Sequence, residues 1–315
     1  MRILFVTATR IGDAVLSTGL LSHVIARFPD VRLTIAAGPA AAPLFEAIPG
    51  LDRLIVLRKR RWALHWLALY TRTAGRRWDL VVDLRGSALA WLLWAGERRV
   101  TAKGDPNDHR VRHLGRLFGL EPPPSPTVWM APRHDLAAEA LVPPGAPVLA
   151  IGPAANWRGK EWRAEHFAEL ATRLTAPDAP FAAARVAVLA AAHERTQAAA
   201  LLAAVPPGRV IDLVGKTDLL TAAAVLRRCA LFIGNDTGLM HLAAAAGTPT
   251  LGLFGPSTVE QYAPWGRYTA VIRTVVTYPP GYDYRTTDTL MDGLLVPEVE
   301  MAARDLWRRA VSQAA

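Results

Sequence analysis

The chain of 315 residues has a single cysteine, Cys229. That excludes a disulfide framework and a cysteine-rich zinc site, and it points to a reducing compartment. The eight histidines fall in no metal-ligand spacing. His109 and His113 lie four apart without a third ligand nearby and read as surface residues, so no metal is expected. No run of about 20 apolar residues is present, as a membrane-crossing helix would need. The longest uncharged stretch, 237–259, is interrupted by Gly247, Pro249, Gly252, Gly255 and Pro256. The opening MRILFVTATRIGD meets Asp13 too early for a signal peptide. The expectation is a cytoplasmic protein, or one resting on a membrane surface. Neither a G-x-x-x-x-G-K-[ST] phosphate loop nor a G-x-S-x-G nucleophile elbow occurs.

What is present is apolar material for real cores: 51% hydrophobic against 20% charged residues. At roughly 150 residues per domain, the length predicts two domains. The net charge of +9 is unevenly placed. Residues 1–150 hold 20 Lys/Arg and 12 Asp/Glu, whereas 151–315 hold 16 and 15. Between Arg53 and Trp78 there are eight cations and no acid, with Arg58, Lys59, Arg60 and Arg61 consecutive. One half is therefore built for an anionic partner. Trp62 and Trp66 interleave with these cations, and Trp62, Trp66, Leu69 and Thr73 are expected to share a helical face. Such a helix fits an anionic membrane surface, and fits equally a core-packed helix with a solvated basic side. No nucleic-acid-binding motif accompanies the charge, so nucleic acid is not an expected partner.

Apolar runs at Ile3–Val6, Leu33–Ala36, Leu54–Leu57 and Leu80–Asp83 alternate with segments long enough for crossover helices. Leu16, Leu20, Val24 and Phe28 mark the first of these helices. The rhythm predicts an α/β chain with a parallel sheet covered on both faces. Eight of the 24 prolines lie between Glu121 and Pro147, where a linker is expected. The strand–helix alternation then restarts at Val148–Ile151 and continues through Ala164–Leu174, Arg185–Leu189, His193–Val205, Val210–Leu213, Leu231–Ile233 and Thr250–Leu253. A last amphipathic helix carries Val299, Ala302, Leu306 and Ala310. The expected domains are 1–140 and 141–315, facing a cleft. Ligands in such sheets bind at the carboxyl ends of the strands.

Four loops there could carry chemistry. In GNDTGLMHLAAAAGTPTLGLFGPS (234–257) a strand turns into a helix whose free N–H groups suit a phosphate, with Thr237 adding a hydroxyl. Asp236 or Thr237 serves equally as a plain helix cap. In GPAANWRGKEW (152–162), Asn156, Arg158 and Lys160 stand at the expected mouth, where Lys160 would neutralise a diphosphate; a solvated charged loop explains them too. Glu194, after another strand, fits a ribose-binding acid or a first-turn partner of the helix dipole. Asp13 fits a general base or an N-cap.

Asn235-Asp236-Thr237-Gly238 with His241, followed by AAAAGTPTLGLFGPS, resembles the signature of the ADP-heptose:lipopolysaccharide heptosyltransferases, glycosyltransferase family nine. RILFVTATRIGDAVLSTGLL, WDLVVDLRGS (78–87), the 152–162 loop and TLMDGLLVPEVEMA extend the resemblance over nearly the whole chain. It implies a GT-B fold, two Rossmann-like doubly wound domains about a central cleft. It also implies an inverting, metal-free transfer without a cofactor. The donor would be a nucleotide-diphosphate sugar such as ADP-heptose, bound by the C-terminal domain. The acceptor would be the acidic lipopolysaccharide inner core at the inner membrane, bound by the N-terminal domain. Asp13 then matches the catalytic base, Lys160 the phosphate-binding lysine, Asp236, Thr237, Gly238 and His241 the diphosphate-binding turn, and Glu194 falls near the ribose-binding acid. Gly19 replaces a usual proline, which predicts only a looser first helix. Ala154 and Asn156 depart from the family pattern near the donor sugar. A sugar-nucleotide epimerase of similar fold and a non-catalytic nucleotide-sugar-binding protein are the rival readings.

Overall fold

Ile3-Leu4-Phe5-Val6 is apolar at every position, the mark of a strand buried on both faces. In the computed structural model it forms β1 (Arg2–Val6), the centre of a five-stranded parallel sheet. The structure describes residues 1–102, 104–275, 283 and 288–313. They divide into two units, Met1–Ala131 and Pro132–Ala315.

In the first unit β1 is followed by α1 (Ile11–Arg27), β2 (Arg32–Ala37), β3 (Leu51–Val56), α2 (Leu64–Thr73), β4 (Trp78–Asp83), α3 (Leu89–Leu92), β5 (Ala95–Val100) and α4 (Arg110–Arg116). The strand order is β3-β2-β1-β4-β5. Register puts Val6 beside Ala36, Ala36 beside Ile55, and Leu4 beside Val81, so these residues share one face. On that face they form one cluster with Leu69 of α2 and Leu89 and Ala90 of α3. Ile3, Phe5, Leu33, Ile35 and Val82 alternate with them and are buried on the other face.

One element is added here and two expectations are corrected. The edge strand β5 was not foreseen, because AGERRV is polar and only half-buried. The stretch 62–73 is not one helix. Trp62 and Ala63 both take φ 54°, a left-handed conformation costing roughly 1–2 kcal/mol per residue. The α-helix therefore starts at Leu64, and Trp62, 85% exposed, does not share the buried side of Leu69 and Thr73. Gly19 does not merely loosen α1. A Cβ there would sit 2.3 Å from the Pro124 carbonyl oxygen, so glycine lets the 124–127 segment lie against the helix. The Thr127 N–H donates to Thr18 Oγ1 at 2.9 Å beside it.

The second unit begins with α5 (Pro132–Leu141), a helix inside the proline-rich stretch where the sequence predicts a linker; its proline occupies the first helical position, where no N–H is needed. Asp135 on α5 pairs with Arg227 at 2.5 Å. There follow β6 (Val148–Gly152), α6 (Ala164–Leu174), β7 (Arg185–Val188), α7 (Arg195–Ala204), β8 (Val210–Asp212), α8 (Leu219–Arg227), β9 (Leu231–Asn235), α9 (Gly238–Ala245), β10 (Thr250–Phe254), α10 (Val259–Tyr262), β11 (Thr269–Arg273) and α11 (Val296–Ser312). The parallel sheet runs β11-β10-β9-β6-β7-β8, with β11 unforeseen. One face carries large residues, among them Ile151, Val188, Ile233 and Leu253, under α6, α7 and α11.

The other face has a row of glycines: Gly152, Gly234 and Gly252 are register partners on β6, β9 and β10. A Cβ on Gly152 would meet Leu239 Cδ2 at 3.0 Å, and one on Gly252 would meet Met240 Sδ at 2.5 Å. The first turn of α9 is thus seated directly on the glycines. Among the described residues no helix is long and apolar enough to cross a membrane.

Candidate active site

All five residues of β9 are buried, and the strand ends at Asn235, immediately before the turn into α9. The sequence motif alone gives no separate role to Asn235. Its Oδ1 accepts from the Trp162 N–H at 3.2 Å, and its Nδ2 donates to the Pro153 carbonyl at 2.8 Å. One buried amide therefore ties the 153–162 loop to the start of the turn. Leaving any of these buried groups unpaired would cost about 1–3 kcal/mol, which makes the tie a strong one.

On this platform the structure brings together Lys160, Asp236, Thr237, Gly238 and His241. Lys160 Nζ lies 2.5 Å from Asp236 Oδ2, with both side chains largely buried. His241, one turn into α9 and buried, places Nε2 3.9 Å from Asp236 Oδ1. The Trp157 ring centroid is 5.7 Å from the ammonium. Thr237 is the N-cap residue of α9 by position, yet its side chain makes no capping bond. Asp236 lies one residue before the cap position, and its Oδ2 is engaged by Lys160. The plain-cap reading of both residues thus gives way to an ion pair at a helix N-terminus. That terminus offers first-turn N–H groups and a positive dipole end to an anion.

Asn156 is exposed on the same loop. Glu194 sits in the turn after β7, where its Oε2 accepts from the Ala191 N–H at 2.7 Å. That bond uses one of its two carboxylate oxygens. Three residues on, Gln197 of α7 donates to Glu161 Oε2 at 3.0 Å and so reaches the Lys160 loop. Burial pushes the Glu161 carboxyl above its ordinary pKa, against the pull of Arg158 and this hydrogen bond.

A further clasp was not read from the sequence. Arg158 pairs with Asp288 at 2.8 Å, and Arg163 makes two bonds of 2.6 Å to Asp292. The Arg158 hydrogen bond, the Thr289 N–H and the arginine charges pull the Asp288 carboxyl down to about 2. The Leu290 N–H donates to the Gly159 carbonyl at 3.2 Å, and Trp162 Nε1 donates to the Leu294 carbonyl at 2.9 Å. Segment 288–294 thereby fixes the loop that carries Lys160. Among the described residues no three His, Cys, Asp or Glu side chains are placed to hold a metal. His109 and His113 have structural work instead of free surface positions. His109 Nδ1 accepts from the Val111 N–H at the start of α4, and His113 Nε2 lies 3.0 Å from Thr101 Oγ1.

In the first unit Asp13 is the third residue of α1. Arg10 holds the N-cap position, so Asp13 is not the cap. Thr7 and Ser17 hydroxyls, 2.9 Å apart and buried, anchor the loop before it. Asp83, fully buried at the end of β4, accepts from the Arg85 N–H at 2.8 Å and from the Ser87 N–H and hydroxyl. It shapes a loop that holds the Arg85 guanidinium 5.4 Å from the Trp66 ring. Arg58, Lys59, Arg60 and Arg61 follow β3 and are exposed. The parallel strands put all three loops at one sheet edge.

Residues 109–290 match the model of glycosyltransferase family 9 (heptosyltransferase). The chain is 25% identical to lipopolysaccharide heptosyltransferase 2 of Salmonella typhimurium, covering 88% of this chain and 89% of that protein. Its fold matches a crystal structure of a family 9 glycosyl transferase from Veillonella parvula with a TM-score of 0.79, 19% identity, and coverage of 98% and 97%. It matches the E. coli ADP-heptose lipopolysaccharide heptosyltransferase II with a TM-score of 0.75, 20% identity, and coverage of 98% and 99%. These likenesses give the fold, GT-B with two Rossmann-like parallel-sheet domains.

Proposed function

The chain belongs to glycosyltransferase family 9, the heptosyltransferases, and from that footing we propose that it moves heptose from ADP-heptose onto the acidic inner core of lipopolysaccharide at the inner face of the inner membrane. The N-terminal unit takes the acceptor and the C-terminal unit the donor. The observation that carries the donor half is the Lys160–Asp236 pair at the N-terminus of α9. Lys160 keeps donors to spare beyond Asp236. Asp236 aims the ammonium and does not itself meet the phosphates, because two anions in contact repel. Asn156 and Glu194 flank the same sheet edge and serve the donor's sugar and ribose. The excess cations at 58–61, beside Trp62 and Trp66, fit the anionic acceptor and its membrane.

Transfer inverts the anomeric centre and uses no metal. The acceptor hydroxyl attacks the anomeric carbon as its proton passes to Asp13, and the bond to the diphosphate breaks. Negative charge grows on the departing ADP, where Lys160 and the N–H groups of Gly238 and Leu239 stabilise it. ADP-heptose and a soluble phosphorylated inner-core acceptor should yield ADP and an inverted linkage by NMR, with activity surviving a chelator. Asp13→Asn should lower turnover by about 10²-fold or more while donor affinity and melting temperature stay near wild type. Turnover of the nucleotide sugar without acceptor would overturn the reading in favour of an epimerase. A variant that melts early but keeps its rate per folded molecule would remove Asp13 from the chemistry.

A further inference from the structure

α3 is apolar all the way round. Leu89, Ala90 and Leu93 are buried in the core of the first unit, while Trp91, Leu92 and Trp94 stand 67%, 66% and 69% exposed. The inward side suffices to hold a single turn of helix in place, so folding does not account for two tryptophans and a leucine left together in water. α2 packs on the same core cluster, hence on the same side of the sheet. It adds exposed Leu64 and Leu67, with Trp62 just before it.

The rings are paired with cations. Arg77 lies 5.7 Å from the Trp94 ring centroid and Arg98 lies 6.0 Å from that of Trp91. Arg98 also donates to the carbonyls of Ala90, Leu93 and Ala95, which pins the turn that presents the ridge. No acid occurs between Asp83 and Glu97, nor between Arg53 and Trp78. That charge selects the occupant. A second copy of this chain would set the same cations face to face, whereas an anionic bilayer complements them. Amphipathic rings beside guanidinium groups suit the boundary between headgroups and acyl chains.

We propose that Trp91, Leu92 and Trp94, flanked by Leu64, Leu67 and Trp62, form a monotopic docking surface that seats in the interfacial layer of an anionic phospholipid bilayer. The proposal rests on the reading above for its purpose, delivery to a membrane-borne acceptor, while its geometry is independent of the reaction. It differs from purely electrostatic adsorption by residues 58–61 because inserted apolar groups hold at high salt.

The test uses the full chain with phosphatidylglycerol–phosphatidylethanolamine vesicles, some carrying brominated acyl chains. Wild type should float with the vesicles at physiological salt, and brominated lipid should quench part of its tryptophan fluorescence. The variant Trp91→Ser/Leu92→Ser/Trp94→Ser should lose about tenfold or more in partition, with melting temperature and turnover on a soluble acceptor unchanged. Leu92→Asp, which adds one acid at the ridge, gives the same answer should the triple variant fold poorly. Undiminished partition of both variants, or absence of quenching, overturns the proposal. So does a wild type that dimerises through this ridge and leaves the vesicles alone. Failure of the transfer reading would show separately, as an inactive wild type on the soluble acceptor.

Discussion

The whole net charge of the molecule sits on one of its two units. Residues 1–131 carry 19 Lys/Arg and 10 Asp/Glu, whereas 132–315 carry 17 of each. The second unit uses its charges internally: Arg158 and Arg163 on Asp288 and Asp292, Arg195 on Asp212, Arg304 on Glu300, Lys160 on Asp236. The first unit lays guanidinium groups over aromatic rings, as with Arg77, Arg85 and Arg98, and leaves 58–61 in solvent. Two sheets of the same class thus solve opposite electrostatic problems. The neutral unit places one lysine at a helix end by buried polar ties. The basic unit carries many exposed charges that require little placing.

Breaking the donor side should give the largest effect. Lys160→Ala should weaken ADP binding by roughly 1.5–3 kcal/mol, the value of a charge-assisted contact, and leave adenosine binding unchanged in calorimetry. It also strands the Asp236 carboxylate, so its melting temperature should fall. Lys160→Ala/Asp236→Ala should recover the melting temperature without recovering ADP affinity. Equal losses for ADP and adenosine would end the assignment. The basic side should respond more weakly and diffusely. Arg60→Gln should cost about 1 kcal/mol in binding to anionic vesicles at low salt, and almost nothing at high salt. Arg163→Gln, whose charge is spent inside the second unit, should not alter vesicle binding at all; if it does so as much as Arg60→Gln, the contrast between the units fails.

The smallest effect concerns the clasp. The Asp288 carboxyl is lowered to about 2 in the folded chain. Its contribution is therefore complete above the unfolded value of about 4 and fades as pH falls through the folded one. Wild type should melt slightly above Asp288→Asn at neutral pH, with the gap closing towards pH 2. A gap that widens on acidification would mean the clasp is not what links Asp288 to stability.

The alternating strands and the turn at 234–241 were legible because their signals are local: apolar runs, a Gly-Asn-Asp-Thr-Gly turn, a helix of small residues. The polar edge strand β5 was not, since AGERRV carries no apolar period. Nor was the clasp, whose Arg158 and Asp288 are 130 residues apart. The break at Trp62 and Ala63 was hidden because helical spacing continues through it. The reason for Gly19 is not local either: it lies on Pro124, a neighbour that only the folded chain supplies.

The glycines at 152, 234 and 252 have a consequence for how the gene can vary. On paper an alanine at any of them is a mild exchange within a strand. In the fold, at 152 and 252, it is a shim inserted beneath the first turn of α9. At Gly152 and Gly252 its Cβ would come within 2.5–3.0 Å of the Leu239 and Met240 side chains, and at Gly234 within 2.7–2.9 Å of the Phe232 ring and the Gly152 carbonyl oxygen, so the packing beneath α9 would have to give. Variation at Gly152 or Gly252 should be recorded as loss of donor affinity by a protein that is still folded, so part of the geometry at this helix end is set by residues without side chains.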